Sequence, residues 1–542
     1  MNSASQTDCL LIGPDDLSFQ RYERILRSSG KDSPAYRDLN LKFLRYNDRP
    51  YEAIELLEHF CKESYIEKGL TPEFDTKMIL NLAVAYLGSY LHDRNYKFEY
   101  ITSVTRQKDE LINKLQNNNL LTIAIITTSY LTLLPIREII NLIKKYNNTA
   151  KIIVGGPFIW YLIRQQSKAD IQSTFQSLNA DILVDSSEGE LTLVNIIDAI
   201  KNGNSLDNVN NIYYKNSHSY IKTPDKEENN ILNENLINWK LFTPNSQNQI
   251  YFRSAISCHF KCAFCDFPVR VKNYQEMDVE YIEKEFNKIE ETGKIKSIRI
   301  IDDTFNIPKK RFKEILLMLI KNQYSFKWSS FLRCQYIDDE IVDLMKQANC
   351  QAVHLGIESG NPQVLENMNK KSSIDAYAKG LELLNKYGIY SYATFIIGFP
   401  GETYKTVEDT INFINENKPT FSLLWPWYCS PLTPIWEQRE KYGLSNWGTN
   451  WKHDTMDANT AADIIEDILV NDKIKGSIFC SLLAEFISFF LHQGFSMDQI
   501  KNFCLTFNEG VKEKLKSNNN KENISSSIID KMKKSVSVLK DK

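Results

Sequence analysis

The sequence predicts an α/β protein made of an N-terminal doubly wound domain, a partial parallel barrel of six strand-plus-helix units and a mostly helical C-terminal cap. Three observations predict it. From residue 98 onward, short apolar runs alternate with helical segments. Small polar or glycine-rich clusters recur where those runs end, and α/β domains place their ligands at the C-terminal ends of their strands. The chain has 542 residues, 42% apolar and 25% charged, too many for one ordinary core.

The N-terminal domain is expected over residues 1–202. Residues 8–13, Asp-Cys-Leu-Leu-Ile-Gly, read as a buried strand stopped by Gly13-Pro14. A helical insertion at about 15–95 follows. Within it, residues 34–63 carry helical apolar spacing, and Thr71-Pro72-Glu73 supplies an N-cap, a proline at N1 and an acid in the first turn. Ile79, Leu80, Ala83, Tyr86, Leu87 and Tyr90 form the apolar face of that second helix. Strands are expected at 98–101, 121–127, 151–154 and 181–184, with helices at 105–116, 135–146 and 190–201. A polar, Asn-rich linker, 203–249, contains one short strand at 211–214.

The barrel is expected over residues 250–433, with strands at 250–256, 297–301, 327–332, 352–357, 392–397 and 421–427. Each strand ends in a cluster with chemical possibilities. These are the loop after Ile256, Asp302-Asp303-Thr304, Arg333-Cys334, Glu358-Ser359-Gly360, the Gly398-to-Thr403 turn and Tyr428-Cys429. The cap, 434–542, contains an aromatic stretch from Trp447 to Trp451, and its Asn-, Lys- and Ser-rich composition after Leu515 predicts a loosely ordered tail.

A net charge of -3 gives no electrostatic case for binding nucleic acid. The N-terminus lacks the basic and apolar regions of a signal peptide. The most apolar run, 478–491, is interrupted by Glu485 and is shorter than the roughly 20 residues that cross a bilayer. A cytoplasmic protein without membrane association is the expectation. Ten cysteines in so long a chain do not form a disulfide scaffold.

The most informative stretch runs from Ser257 to Phe267, Ser-Cys-His-Phe-Lys-Cys-Ala-Phe-Cys-Asp-Phe. Cys258, Cys262 and Cys265 are spaced Cys-x3-Cys-x2-Cys. Three thiolates can hold three irons of a [4Fe-4S] cube, leaving the fourth open to chelate an amino and a carboxylate group. A zinc knuckle is the competing reading.

This spacing, with Phe264 before the last cysteine, resembles the radical S-adenosylmethionine (SAM) superfamily. Gly356-Ile-Glu-Ser-Gly360, with Met368-Asn-Lys370 beyond it, resembles that family's fourth-strand signature. The resemblance implies SAM contacts from Glu358 and Ser359, and from Gly398 near the adenine. Asp302 or Asp303 would meet the SAM amino group, and Phe264 would pack beside the cluster. Arg333 suits the methionine carboxylate, because its planar fork grips carboxylates. A structural ion pair between Arg333 and Glu358 is the alternative. Cys429 is a candidate radical quencher, acid/base group or substrate contact, against the ordinary role of a buried, inert cysteine. Cys334, Tyr428 and His453 are weaker candidates of the same kind.

Upstream, Thr127-Thr128-Ser129, Gly155-Gly156-Pro157 and Glu188-Gly189-Glu190 read singly as turn chemistry. As a set they resemble the loops of the cobalamin-binding domain that precedes the barrel in many radical SAM enzymes. The Asp-x-His-x-x-Gly motif that brings a histidine to cobalt in other B12 proteins is absent. The implied architecture is a Rossmann-like cobalamin-binding domain, a partial (βα)6 radical SAM barrel and a helical cap. Tyr428-Cys-Ser-Pro-Leu-Thr-Pro-Ile-Trp436 with Trp451-Lys-His-Asp-Thr-Met456 is similar to natural-product methylases, including phosphinate P-methyltransferases and peptide C-methyltransferases.

The resemblance implies a class B methylase that uses a [4Fe-4S] cluster, SAM and cobalamin to methylate an unactivated carbon, or phosphorus, of a small-molecule or peptide substrate. An electron donor such as flavodoxin or ferredoxin is implied as a partner. A non-methylating rearrangement or oxidation with the same cofactors is the second expectation. A non-catalytic metal-binding protein is the third.

Overall fold

The computed structural model describes residues 6–15, 18–67, 69, 75–228, 230–242, 247–480, 485–517 and 523–536. The described residues divide into two compact units. One lies within 1–17, 75–251 and 275–295, the other within 18–74, 252–274 and 296–542. Among the described residues no helix is long and apolar enough to cross a membrane.

The first unit is built on a seven-stranded sheet of β1 (Thr7–Ile12), β2 (Phe98–Ile101), β3 (Leu120–Ile126), β4 (Lys151–Gly155), β5 (Ile182–Val184), β6 (Ile212–Asn216) and β7 (Ser219–Lys222). The spatial order is β2-β1-β3-β4-β5-β6-β7. The first five strands are parallel, and β6 and β7 add to the edge antiparallel. Both faces are buried, so the strands read as continuous apolar runs whose alternate residues feed two cores. Leu10, Ile12, Ile123, Ile125 and Val154 enter one core, and Cys9, Leu11, Ala124 and Ile153 the other. The order 2-1-3-4-5 of the parallel strands places the topological switch point between β1 and β3, where such sheets bind ligands. The segment expected as a linker is thus partly sheet.

The insertion is divided differently from the sequence expectation. Helix Leu82–His92 packs in the first unit, its Tyr90 and Leu91 entering the second of those cores. It begins at Leu82, where Asn81 caps it by accepting from Ala83 N at 3.0 Å. The start expected at Thr71-Pro72-Glu73 lies outside the described residues. Residues 34–63 are not continuously helical. Between helices Pro34–Asn40 and Ala53–Glu67 runs a hairpin, Phe43–Tyr46 with Arg49–Glu52. Asn47 and Asp48 supply its two-residue turn with φ values of 50° and 62°, the positive pair that a primed hairpin turn requires. This segment groups with the second unit. Lys514 Nζ donates to the Phe43 carbonyl at 2.6 Å, and Arg37 bridges Asp463 and Glu466 at 2.6 and 2.9 Å.

The second unit carries the parallel sheet of β8 (Gln249–Phe252), β9 (Ser297–Ile300), β10 (Lys327–Leu332), β11 (Cys350–Glu358), β12 (Tyr390–Ile397), β13 (Phe421–Pro426) and β14 (Ile478–Phe479). They lie side by side in chain order. Chain order with helical crossovers is the pattern of an opened βα barrel. The chain enters this unit within β8, whose Phe252 carbonyl accepts from Ile301 N at 2.8 Å. The short seventh strand comes from the cap and pairs parallel with β13. Helix Val279–Glu291, read as the first barrel helix, groups by contact with the first unit, where Glu285 accepts from Trp239 Nε1 at 2.7 Å. The tail is more ordered than its composition predicts. Helix Met497–Lys516 is followed by helix Ser526–Val536, which buries Ile528, Met532 and Val536.

Candidate active site

The cysteine loop leaves Ile256 through Ser257, whose φ of +71° turns the chain and whose hydroxyl donates to Val271 O at 2.6 Å. Backbone bonds pin the loop's far side. Ala263 N donates to Met368 O at 2.8 Å, Ile435 N to Ala263 O at 2.9 Å, and Asn369 Nδ2 to Lys261 O at 2.7 Å. The turn after β11 therefore positions the cysteines.

All three cysteines open onto one cavity of about 270 Å³ at the C-terminal ends of the strands, which extends down the barrel interior. Among the described residues no three Cys, His, Asp or Glu side chains gather as they would around a single metal ion. Cys258, Cys262 and Cys265 each contribute to the cavity wall. Arg333 Nη2 donates to Cys262 Sγ at 2.9 Å and Nη1 to Lys370 O at 2.6 Å, and the guanidinium stacks 3.5 Å from the centroid of Phe260. Asn306 fixes the Arg333 backbone, accepting from Arg333 N at 3.0 Å and donating to its carbonyl at 2.9 Å. Arg333 thus ties the cysteine loop, through Cys262, to the turn after β11, through Lys370, while lining the cavity.

Glu358 does not pair with Arg333. Lys370 Nζ donates to Glu358 Oε1 at 3.0 Å, both side chains line the cavity, and Glu358 holds a φ of +70°. Gly356 makes this possible, because a Cβ there would fall 2.4 Å from Glu358 Oε1. Asp303 opens onto the cavity, where burial first and the neighbouring Asp302 second push its pKa up to about 7. Phe264 lines the cavity and meets Phe399 edge-on at 6.3 Å.

Other expected site residues face elsewhere. Asp302 is buried beneath the loop, accepting from Ser254 N and Ala255 N at 2.6 and 3.1 Å, so it braces the strand end. Ser359 turns toward helix Tyr404–Asn417, 3.3 Å from Thr410 Oγ1. Gly398, with φ +95°, lies beneath Trp451, and its carbonyl meets His453 Nε2 at 3.0 Å. Cys429 is fully buried in a backbone bridge to Gly448, and burial pushes its thiol up to about 12. It is not among the cavity-lining residues. The chain turns away after Pro426, so a strand-end position does not bring Cys429 inward. Cys334 is likewise buried, donating to Tyr377 O at 3.5 Å, and Tyr428 is exposed.

Sequence reasoning missed His354, Tyr392 and Thr394, which line the deeper part of the cavity, and Trp425, which lines it nearer the strand ends. Their signal is the two-residue period of a strand. His354 and Gly356 share one face of β11, with Glu358 brought to the same cavity by a bulge after Gly356, and Tyr392 and Thr394 share one face of β12. Glu402 was also missed. It is wholly buried beside Gly398, and burial pushes its pKa up to about 8.

In the first unit, the Thr127, Gly155 and Glu188 loops lie at the C-terminal edge of β3, β4 and β5. Thr127 is buried and bonds Gly155 O through both N and Oγ1 at 2.9 Å, Thr128 is half-buried, and Ser129 is exposed. Gly156 has a φ of +118°, and a Cβ there would sit 2.9 Å from Thr127 Oγ1. Close packing thus requires this glycine. Glu188 accepts from Asn230 Nδ2 at 3.1 Å, and Gly189 N donates to Glu190 at 2.8 Å. Backbone and hydroxyl groups along this edge can approach a large ligand. The edge offers no imidazole, because His92 ends a helix and His218 sits in the β6–β7 turn, both exposed.

Residues 255–414 match the model of the radical SAM superfamily. An uncharacterized methyltransferase from Pyrococcus horikoshii is 27% identical over 332 residues, 58% of this chain and 68% of that protein. A bacteriochlorophyllide d C-12(1)-methyltransferase from Chlorobaculum tepidum is 29% identical over 33% of this chain, which spans only 40% of that relative's length. Among solved structures, the cobalamin-dependent SAM radical enzyme OxsB with aqua-cobalamin bound superposes with a TM-score of 0.56 at 16% identity, over 84% of this chain and 81% of that one.

Proposed function

We propose, from the match of residues 255–414 to the model of the radical SAM superfamily, that the protein is a cobalamin-dependent radical SAM methyltransferase acting on a natural-product or peptide substrate. The observation that carries the reading is the convergence of Cys258, Cys262 and Cys265 with Asp303, Arg333 and the Glu358–Lys370 pair around one cavity. When bound, a [4Fe-4S] cluster supplies the electron that splits SAM, and cobalamin carries the methyl group to the substrate.

The chain's own groups bind and orient. The three thiols would hold the cluster, and Arg333 fixes the Cys262 sulfur and hence the loop. Asp303 would accept from the SAM ammonium, whose positive charge favours the carboxylate form. Glu358, steadied by Lys370, would accept from the ribose or the amino-acid part of SAM. Phe264 and the aromatic cavity walls keep water from the reacting carbon. Along the C-terminal edge of β3, β4 and β5, Thr127, Thr128, Ser129, Gly155, Gly156, Glu188 and Gly189 would receive cobalamin by backbone and hydroxyl contacts. The methyltransferase names of the relatives and the cobalamin-bound structural neighbour support this reading. We assign residues 1–202, less 18–74, to cobalamin binding, and 250–433 to SAM chemistry. A flavodoxin or ferredoxin in the cytoplasm would supply electrons.

The test is anaerobic reconstitution with iron, sulfide and cobalamin, followed by product analysis with SAM and a chemical reductant. About four irons per chain, retained cobalamin, and both 5′-deoxyadenosine and S-adenosylhomocysteine are expected. Protein that forms deoxyadenosine but retains no cobalamin would end the methyltransferase reading and leave the radical core intact.

A further inference from the structure

His354 is a cavity residue for which the proposed SAM contacts have no use. It lines the same cavity as Glu358 but sits three ladder positions before it, Tyr392 against Phe395 on the next strand, so it lies roughly 10 Å deeper in the barrel at about 3.3 Å per position. It is only 4% exposed, and what it exposes faces the cavity. Phe331 and Tyr392 hold its ring at centroid distances of 5.1 and 4.9 Å. Neither ring nitrogen has a hydrogen-bond partner among the described residues. Burial, with Arg299 second, holds its pKa well below the ordinary histidine value. The imidazole is therefore neutral, with one donor and one acceptor to offer. Buried polar groups are normally satisfied, so this one marks a place where a ligand group belongs.

The surroundings define that group. Phe331 and Tyr392, the register partners of His354 on the two neighbouring strands, line the same depth with aromatic surface, and Trp425 lines the cavity nearer the strand ends. The cations nearby are engaged. Arg299 Nη1 donates to Glu485 O at 2.7 Å with the Glu485 carboxylate at 3.4 Å, and Lys370 holds Glu358. A carboxylate would find no free cation there, whereas a neutral group would find a hydrogen bond and apolar walls.

We propose that the floor of the barrel cavity is a substrate subsite, in which His354 hydrogen-bonds a hydroxyl or amide of the organic substrate while Phe331 and Tyr392 pack against its carbon skeleton. The inference rests on the radical SAM reading only in taking the barrel to receive a substrate. The polar groups near the cysteine loop, Asp303 and Glu358, are the ones suited to the amino-acid end of SAM.

The test uses the full-length, anaerobically reconstituted protein with benzamide as the neutral polar probe and ethylbenzene as its apolar counterpart, both read by ligand-observed NMR. Benzamide should bind the parent and His354→Gln within about threefold of each other, and His354→Phe at least tenfold more weakly. Ethylbenzene should not discriminate among the three. His354→Leu serves as the second apolar variant should the phenylalanine disturb folding, as judged by circular dichroism. Equal benzamide affinity in the parent and the apolar variants, or no binding to the parent, would overturn the proposal. SAM affinity, measured in parallel, should stay within twofold. A tenfold loss of SAM binding in His354→Phe would reassign the histidine to SAM and also overturn it. Protein that binds benzamide through His354 but never binds SAM would leave the subsite standing and sink the radical SAM reading.

Discussion

Arg333→Met is the most incisive perturbation of the cluster loop. The arginine reaches Cys262 Sγ at 2.9 Å and Lys370 O at 2.6 Å while stacking on Phe260. Methionine keeps the apolar stem and removes both bonds. A hydrogen bond to a charged partner is worth about 1.5–3 kcal/mol. The Cys262 sulfur carries negative charge in both redox states of a bound cluster, and more in the reduced one. If about half of the bond energy distinguishes the two states, its loss disfavours reduction by about 1 kcal/mol. A tenfold change, about 1.4 kcal/mol, is 59 mV for one electron, so the potential should fall by about 40 mV. Arg333→Lys should fall between, because a single ammonium cannot span both acceptors. Potentiometric titration followed by electron paramagnetic resonance measures this on the reconstituted protein. A potential unchanged within about 10 mV, or a rise, would show that the guanidinium does not act on the cluster sulfur.

Three more outcomes are expected. Cys429→Ala should leave uncoupled deoxyadenosine formation within twofold of the parent, since the thiol is outside the cavity; a tenfold loss by chromatographic assay would restore it to the site. Glu402 is pushed up to about 8 by burial. Its folded pKa thus exceeds its unfolded one, and its contribution should be fully present below about pH 4.5 and lost as pH rises toward 8. Melting temperatures across that range should show Glu402→Gln with a shallower decline than the parent, and parallel curves would refute it. Gly398→Ala should cost about 3 kcal/mol, combining left-handed backbone strain with a Cβ placed 2.4 Å from the Trp451 ring. Denaturant midpoints test this, and an unchanged midpoint would contradict the packing described.

The cysteine loop and the strand ends were legible because their information is local. A Cys-x3-Cys-x2-Cys spacing and an apolar run closing on polar residues are visible without knowing what lies opposite. Pairings across the barrel were not. Arg333 and Glu358 end adjacent strands, yet Asn306 and the Cys262 sulfur claim the arginine while Lys370, twelve residues past Glu358, claims the acid. Cys429 looked inward by strand-end logic, but its direction is set by the bridge to Gly448. His354 was readable in principle, since a histidine two residues before Gly356 shares its face. It was hidden because an apolar run around it reads simply as core. The hairpin at residues 43–52 depended on two positive φ angles, which an Asn-Asp pair permits without announcing.

The docking of residues 18–67 against the C-terminal helices has a consequence for how the chain is made. Lys514 reaches back across 471 residues to the Phe43 carbonyl. At about 5–20 residues per second of synthesis, the N-terminal hairpin waits roughly 25 to 95 seconds for the helix that covers it. Throughout that interval the hairpin segment lacks the C-terminal helix that Lys514 belongs to. Translation speed, and any chaperone that shelters the hairpin meanwhile, therefore belongs to the assembly of this protein.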